Sequence, residues 1–422
     1  MKRLLFVCIG ILFFAILPAQ EKNTLDWDID DIFNEPAQES PNEEPENNKS
    51  AVTVNKLLRQ KGISFNASYE FLIGIAPGWR EPPWSSVDDY GFYLNRYIKL
   101  NGSLSIDAQI DDFFRVISIL SFEIPDFRIR LGDFFFDYNI NDIIFLRGGK
   151  YSYSWGLASN FTFTNLLARV PNDSVTGDSF ILKADIPTGI GGFQILALTR
   201  YDLMNLTGDS DPPRFEDFGF GGKYNLALQW ADFNMGLYYQ ENMPLRIFLS
   251  IKTTLWKTEF YTEGLIAINV NDPADVSGAV SLGFVKELFN NKLIVNGEIF
   301  YNAENDSYQY NPETYITEAI ATPFVKDLNL ALNLSYKLGG KINPVLFTQM
   351  RYAPFENSVQ LIPGIKINPL SNVEVYLAVP MSLGSKEGYY YKNTYITDSE
   401  SGPIPFSVIL LIKLSGNLQF KN

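Results

Sequence analysis

Apolar residues in this chain fall on every second position, over stretches too long for an ordinary strand. Between Phe406 and Phe420 every even position is apolar or glycine, while the odd ones include Ser407, Lys413, Ser415, Asn417 and Gln419. Leu328, Leu330, Leu332, Leu334, Tyr336 and Leu338 alternate with Asn329, Ala331, Asn333, Ser335 and Lys337, and the stretches from Val373 to Met381 and from Leu245 to Leu255 follow the same rule. A period of two marks a strand whose two faces meet different surroundings. Strands of soluble domains run to about five or six residues. Ribbons roughly twice that length with one unbroken apolar face suit a hydrocarbon layer.

In a bilayer each backbone polar group without an internal partner costs several kcal/mol, so a spanning sheet has to close, its last strand pairing with its first. Fourteen more segments carry the alternation less cleanly, near 63–76, 92–107, 113–124, 126–138, 143–153, 178–187, 191–201, 217–229, 232–240, 258–270, 277–287, 292–302, 342–352 and 358–367. The total is about eighteen strands, or sixteen where two short segments merge, and either number is even, as bacterial single-chain barrels require. Connections alternate as well. Short turns such as "NIND" at 139, "PTG" at 187 and "NN" at 290 fit periplasmic hairpins, and long polar stretches such as "PGWREPPWSSVDDYG", "GLASNFTFTNLLARVPNDSVTGD" and "GSKEGYYYKNTYITDSESGP" fit external loops. The expected fold is all-β: a transmembrane antiparallel β-barrel of about 16 to 18 strands over residues 61–422, with long external loops and short periplasmic turns. A soluble lectin or propeller is the competing architecture. It would show shorter strands and a repeat of about 40–50 residues, and neither is visible.

Residues 1–20 pair Lys2 and Arg3 with an apolar core from Leu4 to Leu17 and the small residue Ala19, the pattern of a secretory signal peptide. The segment 21–60 includes "NEPAQESPNEEPENNKS" and reads as an acidic, disordered periplasmic linker. The only cysteine, Cys8, lies inside the signal core, so the processed chain holds no thiol. Loss of Lys2 and Arg3 lowers the 34 basic residues to 32 against 48 acidic ones and takes the net charge from -14 to -16, which argues against nucleic acid as a partner. Histidine is absent, which removes the Ser-His-Asp triad, His-ligated zinc and the commonest general base. The chain is expected to be no enzyme, with no cofactor and no metal.

The segment "LSGNLQF", with Gly416, Leu418 and Phe420, resembles the C-terminal assembly signal of bacterial outer-membrane barrel proteins, although that family ends on the aromatic residue and here Lys421 and Asn422 follow. The stretch "FLRGGKYSYSWG", Phe145 to Gly156, is similar to a strand-to-loop segment of porins. The resemblance implies the outer membrane of a diderm, Gram-negative-type bacterium. It also implies contact with outer-membrane lipid and with the barrel-assembly machinery, and a homo-oligomer is compatible with it. The expected function is a porin-like channel for passive passage of small polar solutes or ions. The alternatives are a surface adhesin acting through its loops and a transporter of lipids or other hydrophobic solutes.

With leucine and valine facing outward, the inner face carries Arg115, Arg128, Arg130, Arg147, Lys183, Arg200, Lys223, Arg246 and Lys252, with Glu263, Glu298 and Glu374 in the second half. These are the candidate pore-lining residues, because Arg or Lys facing lipid costs about 2–4 kcal/mol at the midplane. Inward acids are expected to be scarcer in the first half, so that walls of opposite sign face each other across the lumen. Tyr151, Tyr153, Trp155, Trp230, Tyr238 and Tyr239 fit interfacial girdles, with a sugar-binding aromatic slide as the sharper alternative. The repeated "GGK" at 148–150, 221–223 and 339–341 fails as a phosphate loop and reads as glycine relieving crowding.

Overall fold

The computed structural model describes residues 62–81, 91–125, 127–151, 153, 155–157, 160–161, 180–199, 215, 218–241, 244–303, 327–392, 394, 396–398 and 402–421. The readings of residues 1–20 and 21–60 lie outside them, and so does Arg200.

Among the described residues one large antiparallel sheet forms the wall. Its first strands are β1 (Gly62–Trp79), β2 (Phe92–Gln109), β3 (Phe114–Ile124), β4 (Arg128–Ile140) and β5 (Ile144–Lys150). They are followed by β6 (Phe180–Thr188), β7 (Gly191–Thr199), β8 (Phe218–Ala227), β9 (Asp232–Gln240), β10 (Leu245–Leu255) and β11 (Thr258–Ile268). Then come β12 (Val276–Leu288), β13 (Leu293–Ala303), β14 (Asp327–Lys337), β15 (Val345–Ala353) and β16 (Ser358–Leu370). The segments β17 (Val373–Ala378) and β18 (Met381–Gly384) run in line as one wall strand, and β21 (Phe406–Ser407) and β22 (Ile409–Lys421) as another, so twenty segments make eighteen strands. Between them lie a single helical turn, α1 (Tyr389–Lys392), and a small hairpin of β19 (Ile396–Asp398) and β20 (Gly402–Ile404).

Each strand pairs with the next, and β22 pairs with β1 from Ser64 opposite Lys421 to Ile75 opposite Leu410. Closure leaves the wall without an edge, as the backbone requires in hydrocarbon. The long C-terminal alternation is thus the closing ladder, interrupted at Val408 between β21 and β22. Side chains keep the expected phase. Ile247, Leu249, Ile266, Leu282, Ile299 and Leu377 point outward and are exposed, while Ser250, Glu263, Ser281, Asn296 and Asn329 are buried on the inner face. The burial is inverted relative to a soluble protein, whose polar side is the outer one.

Two details depart from the pattern. On β4 a bulge opposite Ile119 places Gly132 and Asp133 against one residue of β3. It shifts the phase so that the even residues Arg128 and Arg130 and the odd residues Phe135 and Asp137 share the inner face. In addition, β5 ends at Lys150 rather than near 153, because the chain leaves the wall there and turns inward.

Candidate functional site

The departure from β5 organises the lumen. Gly149 (φ +140°) and Gly156 (φ +116°) adopt backbone angles that side chains resist, and they bracket the aromatic run that enters the barrel. Tyr151, Trp155 and Phe161 are nearly or fully buried, in one apolar cluster with Ile181, Leu196, Tyr238, Phe248 and Phe300. Trp155 lies 5.4 Å from the Phe248 ring, and Phe161 stacks on Phe300 at 5.0 Å. Room for the indole comes from Gly221 on β8, where a Cβ would stand 2.8 Å from Trp155.

Hydrogen bonds tie this segment to three parts of the wall. The Trp155 indole N–H and the Tyr153 hydroxyl both donate to Gln194 of β7, at 2.9 and 2.6 Å. The Leu157 amide donates to Glu263 of β11. The Asn160 amide donates to Glu298 of β13 at 3.0 Å, and its carbonyl oxygen Oδ1 accepts from Asn333 of β14 at 2.6 Å. Tyr261 also donates to Glu298, at 2.8 Å. The described residues Tyr151, Tyr153, Trp155–Leu157, Asn160 and Phe161 therefore reach across the interior from β5 to β14, inside the barrel rather than in an external loop.

This placement corrects the girdle reading for four aromatics, among them Tyr153, which bonds to Gln194 inside the lumen. Tyr151 and Trp155 lie within the lumen because they belong to the inturned segment, and Tyr238 is fully buried because it sits on the inner phase of β9. Trp230, by contrast, is 66% exposed at the short-turn end. Packed ring against ring, the inner aromatics do not form a slide open to a solute.

A second segment enters from the last long loop. Tyr390 of α1 is buried, and its hydroxyl bonds with Asn329 of β14 at 3.3 Å. Ile404 is buried with Leu72, Ile362, Tyr376, Ile409 and Leu411 on the inner face of β1, β16, β17 and β22. Both inturned segments thus reach β14, one at Asn333 and one at Asn329. The Lys386–Glu81 ion pair links the last long loop to the first.

The inner charges are distributed differently from the two-wall expectation. Arg115 pairs with Asp107, Arg147 with Asp137 and Lys183 with Asp185, so the first half carries its own inward acids. Neighbouring strands place Arg115 beside Asp107 and Arg147 beside Asp137, where each neutralises the other, whereas Lys183 and Asp185 lie two positions apart on β6. Lys99 pairs with Glu123 at 2.9 Å, Lys413 with Glu70, Lys366 with Glu374 at 2.9 Å, and Lys252 with Glu259 at 3.0 Å. Lys223 lies 5.9 Å from the Trp155 ring, and Arg246 lies 6.0 Å from that of Tyr238. Glu263 and Glu298 are 1% and 2% exposed beneath the inturned segment, so they face its backbone and not open water.

Away from both segments the wall recedes. A cavity of about 680 Å³ lies against β1 to β4 and β22, and among its lining groups are Glu70, Lys99, Ser103, Ser121, Glu123, Arg128 and Arg130. Of the candidate cations, then, Arg128 and Arg130 share one water-accessible recess, Arg115 and Arg147 are paired across strands, Lys183 is paired along its own strand, and Lys223 and Arg246 lie beside aromatic rings. Sequence reasoning missed Gln194, Asn296 and Asn333, which look like any inward polar residue. The signal in the sequence is an aromatic run bracketed by glycines, Gly149 and Gly156. Of the assembly-signal residues, Gly416 stands opposite Tyr69 and Phe420 opposite Phe65 in the closing ladder, and Leu418 is exposed on the outer face.

No protein-family model matches the sequence, and no curated protein matches it either. Solved structures do. Pseudomonas aeruginosa OpdO superposes with a TM-score of 0.51 at 12% identity, covering 85% of this chain and 98% of that one. Pseudomonas aeruginosa OccK5 (OpdH) gives 0.52 at 8% identity over 85% and 98%, and OccK11 (OpdR) gives 0.52 at 8% over 86% and 99%. At such identities the likeness is one of fold, and the fold is that of a closed, eighteen-stranded antiparallel β-barrel.

Proposed function

We propose that this protein is an outer-membrane channel through which small polar solutes or ions pass by diffusion. The observation that carries the reading is the lumen itself: an inner wall of ion pairs and hydroxyls, partly filled by a segment pinned across it, with a polar recess left beside that segment. An eighteen-stranded barrel is wide enough for a water-filled interior unless something occupies it. The charged lining counts against a carrier of lipids, which would need an apolar route. In this reading the pore-lining groups are Arg128 and Arg130 together with the paired cations, and the protein is a channel and not an enzyme. It sits in outer-membrane lipid, delivered there by the barrel-assembly machinery.

Protein extracted from the outer membrane and reconstituted in planar bilayers should give stepwise single-channel currents. Silent membranes would overturn the channel. Replacing both Arg128 and Arg130 by Ser should move the reversal potential in a salt gradient toward cations, since two positive charges leave the recess. An unchanged potential would remove these residues from the conducting path.

A further inference from the structure

The recess beside β1 to β4 is lined largely by short polar side chains that no described residue of the inturned segments covers. One row of directly opposed residues runs across five strands as Asn417, Ser68, Ser103, Ser121 and Arg130. The next row runs Ser415, Glu70, Asn101, Glu123 and Arg128. The recess exists because these inner side chains are mostly short. Elsewhere the same face carries Tyr238, Phe248 and Phe300, and the lumen is filled.

We infer that this hydroxyl-and-amide belt is a binding niche for a neutral polyhydroxylated solute, of the sugar or polyol class. The inference rests on the channel reading and names the solute that the channel would favour. A serine hydroxyl both donates and accepts, as a sugar hydroxyl does, so a row of them matches a polyol without imposing a direction on its hydrogen bonds. The Ser68 and Ser103 hydroxyls, 2.7 Å apart, show the row close enough to act together. The charges lining the recess are three cations (Lys99, Arg128, Arg130) and three carboxylates (Glu70, Glu123, Asp133), so neither sign dominates its lining. Lys99 with Glu123, and Glu70 with Lys413, are already paired. The volume of about 680 Å³ falls inside the range of small-molecule sites, about 300–1,000 Å³.

The test uses full-chain protein extracted from the outer membrane, with sucrose as the probe. Polyethylene glycol of matched size, which lacks the hydroxyl array, and glycine betaine, a zwitterion, serve as comparators. Sucrose should interrupt single-channel current more strongly than either. Saturation-transfer NMR on the detergent-solubilised protein should show sucrose contact whether or not the barrel conducts. Replacing Ser68, Ser103 and Ser121 together by Ala should weaken sucrose binding about fivefold, the loss expected for roughly one net hydrogen bond. Ser103→Ala alone should weaken it less, and it serves as the readout if the triple variant fails to assemble. Conductance without sucrose contact overturns the niche and leaves the channel standing, whereas contact without conductance does the reverse. Equal effects of polyethylene glycol, tighter binding of betaine, or unchanged affinity in the serine variants each overturn the polyol inference.

Discussion

Glu298 shows how a single residue sets the interior. Its carboxylate accepts from the Asn160 amide, the Asn160 side chain and Tyr261, and it is 2% exposed. Hydrogen bonds to a buried charge contribute about 1.5–3 kcal/mol each, and removing the acceptor leaves its donors unsatisfied. Glu298→Ala should therefore release the far end of the inturned segment while the wall, held by main-chain ladders, stays closed. The expected result is a higher and noisier single-channel conductance with unchanged heat-modifiable migration on gels. A conductance equal to that of the parent would show that this carboxylate does not fix the segment. The sequence marks Glu298 as inward-facing, since it alternates with Val295, Gly297 and Ile299, but the same alternation holds for Asn296 and Asn302. Its partner lies 138 residues away in the chain, and no local pattern contains that distance.

At the scale of elements, β14 does more than span. Its outward row of leucines faces lipid, and its inward row presents Asn329 and Asn333, which hold the segments from the last long loop and from β5 respectively. Replacing both asparagines by Ala should loosen both segments at once. The prediction is a conductance increase in the double variant exceeding that of either single one, read in planar bilayers, with antiparallel pairing to β13 and β15 retained in its infrared amide band. If Asn333→Ala alone reproduces the full effect, the Tyr390 contact plays no part in narrowing the lumen. Strand identity was legible here because lipid imposes a strict period of two on one face. The end of β5 was not. The residues from Tyr151 to Trp155 continue an alternating, aromatic-rich pattern that a wall strand would also show, and only the packing of Trp155 against Phe248 and into the space over Gly221 decides that they turn inward.

At the scale of the whole molecule, closure is the condition for everything else. Deleting residues 409–421 would strip β1 and β17 of their shared partner and expose two rows of main-chain groups to hydrocarbon, each unsatisfied group costing several kcal/mol. The truncated chain should form no heat-modifiable barrel and should be lost to proteolysis, as followed by gel migration after expression. Recovery of a detergent-stable barrel would mean that closure does not depend on the β22–β1 ladder.

What the sequence determined by itself is the wall: the long strands, the long C-terminal ribbon that closes the sheet, and which side is apolar on strands whose alternation is unbroken. These are local consequences of a solvent that tolerates no unpaired backbone and no outward charge, and they repeat along every strand. The tertiary structure alone decided the interior. Whether an inward arginine meets an aspartate on the next strand, as Arg147 meets Asp137, depends on register, and so does whether a carboxylate lies under the chain, as Glu298 does. Whether the inturned segments cover part of the inner face or leave a recess is decided only when strands distant in sequence are brought round into a closed ring, because closure is what makes their inner faces neighbours.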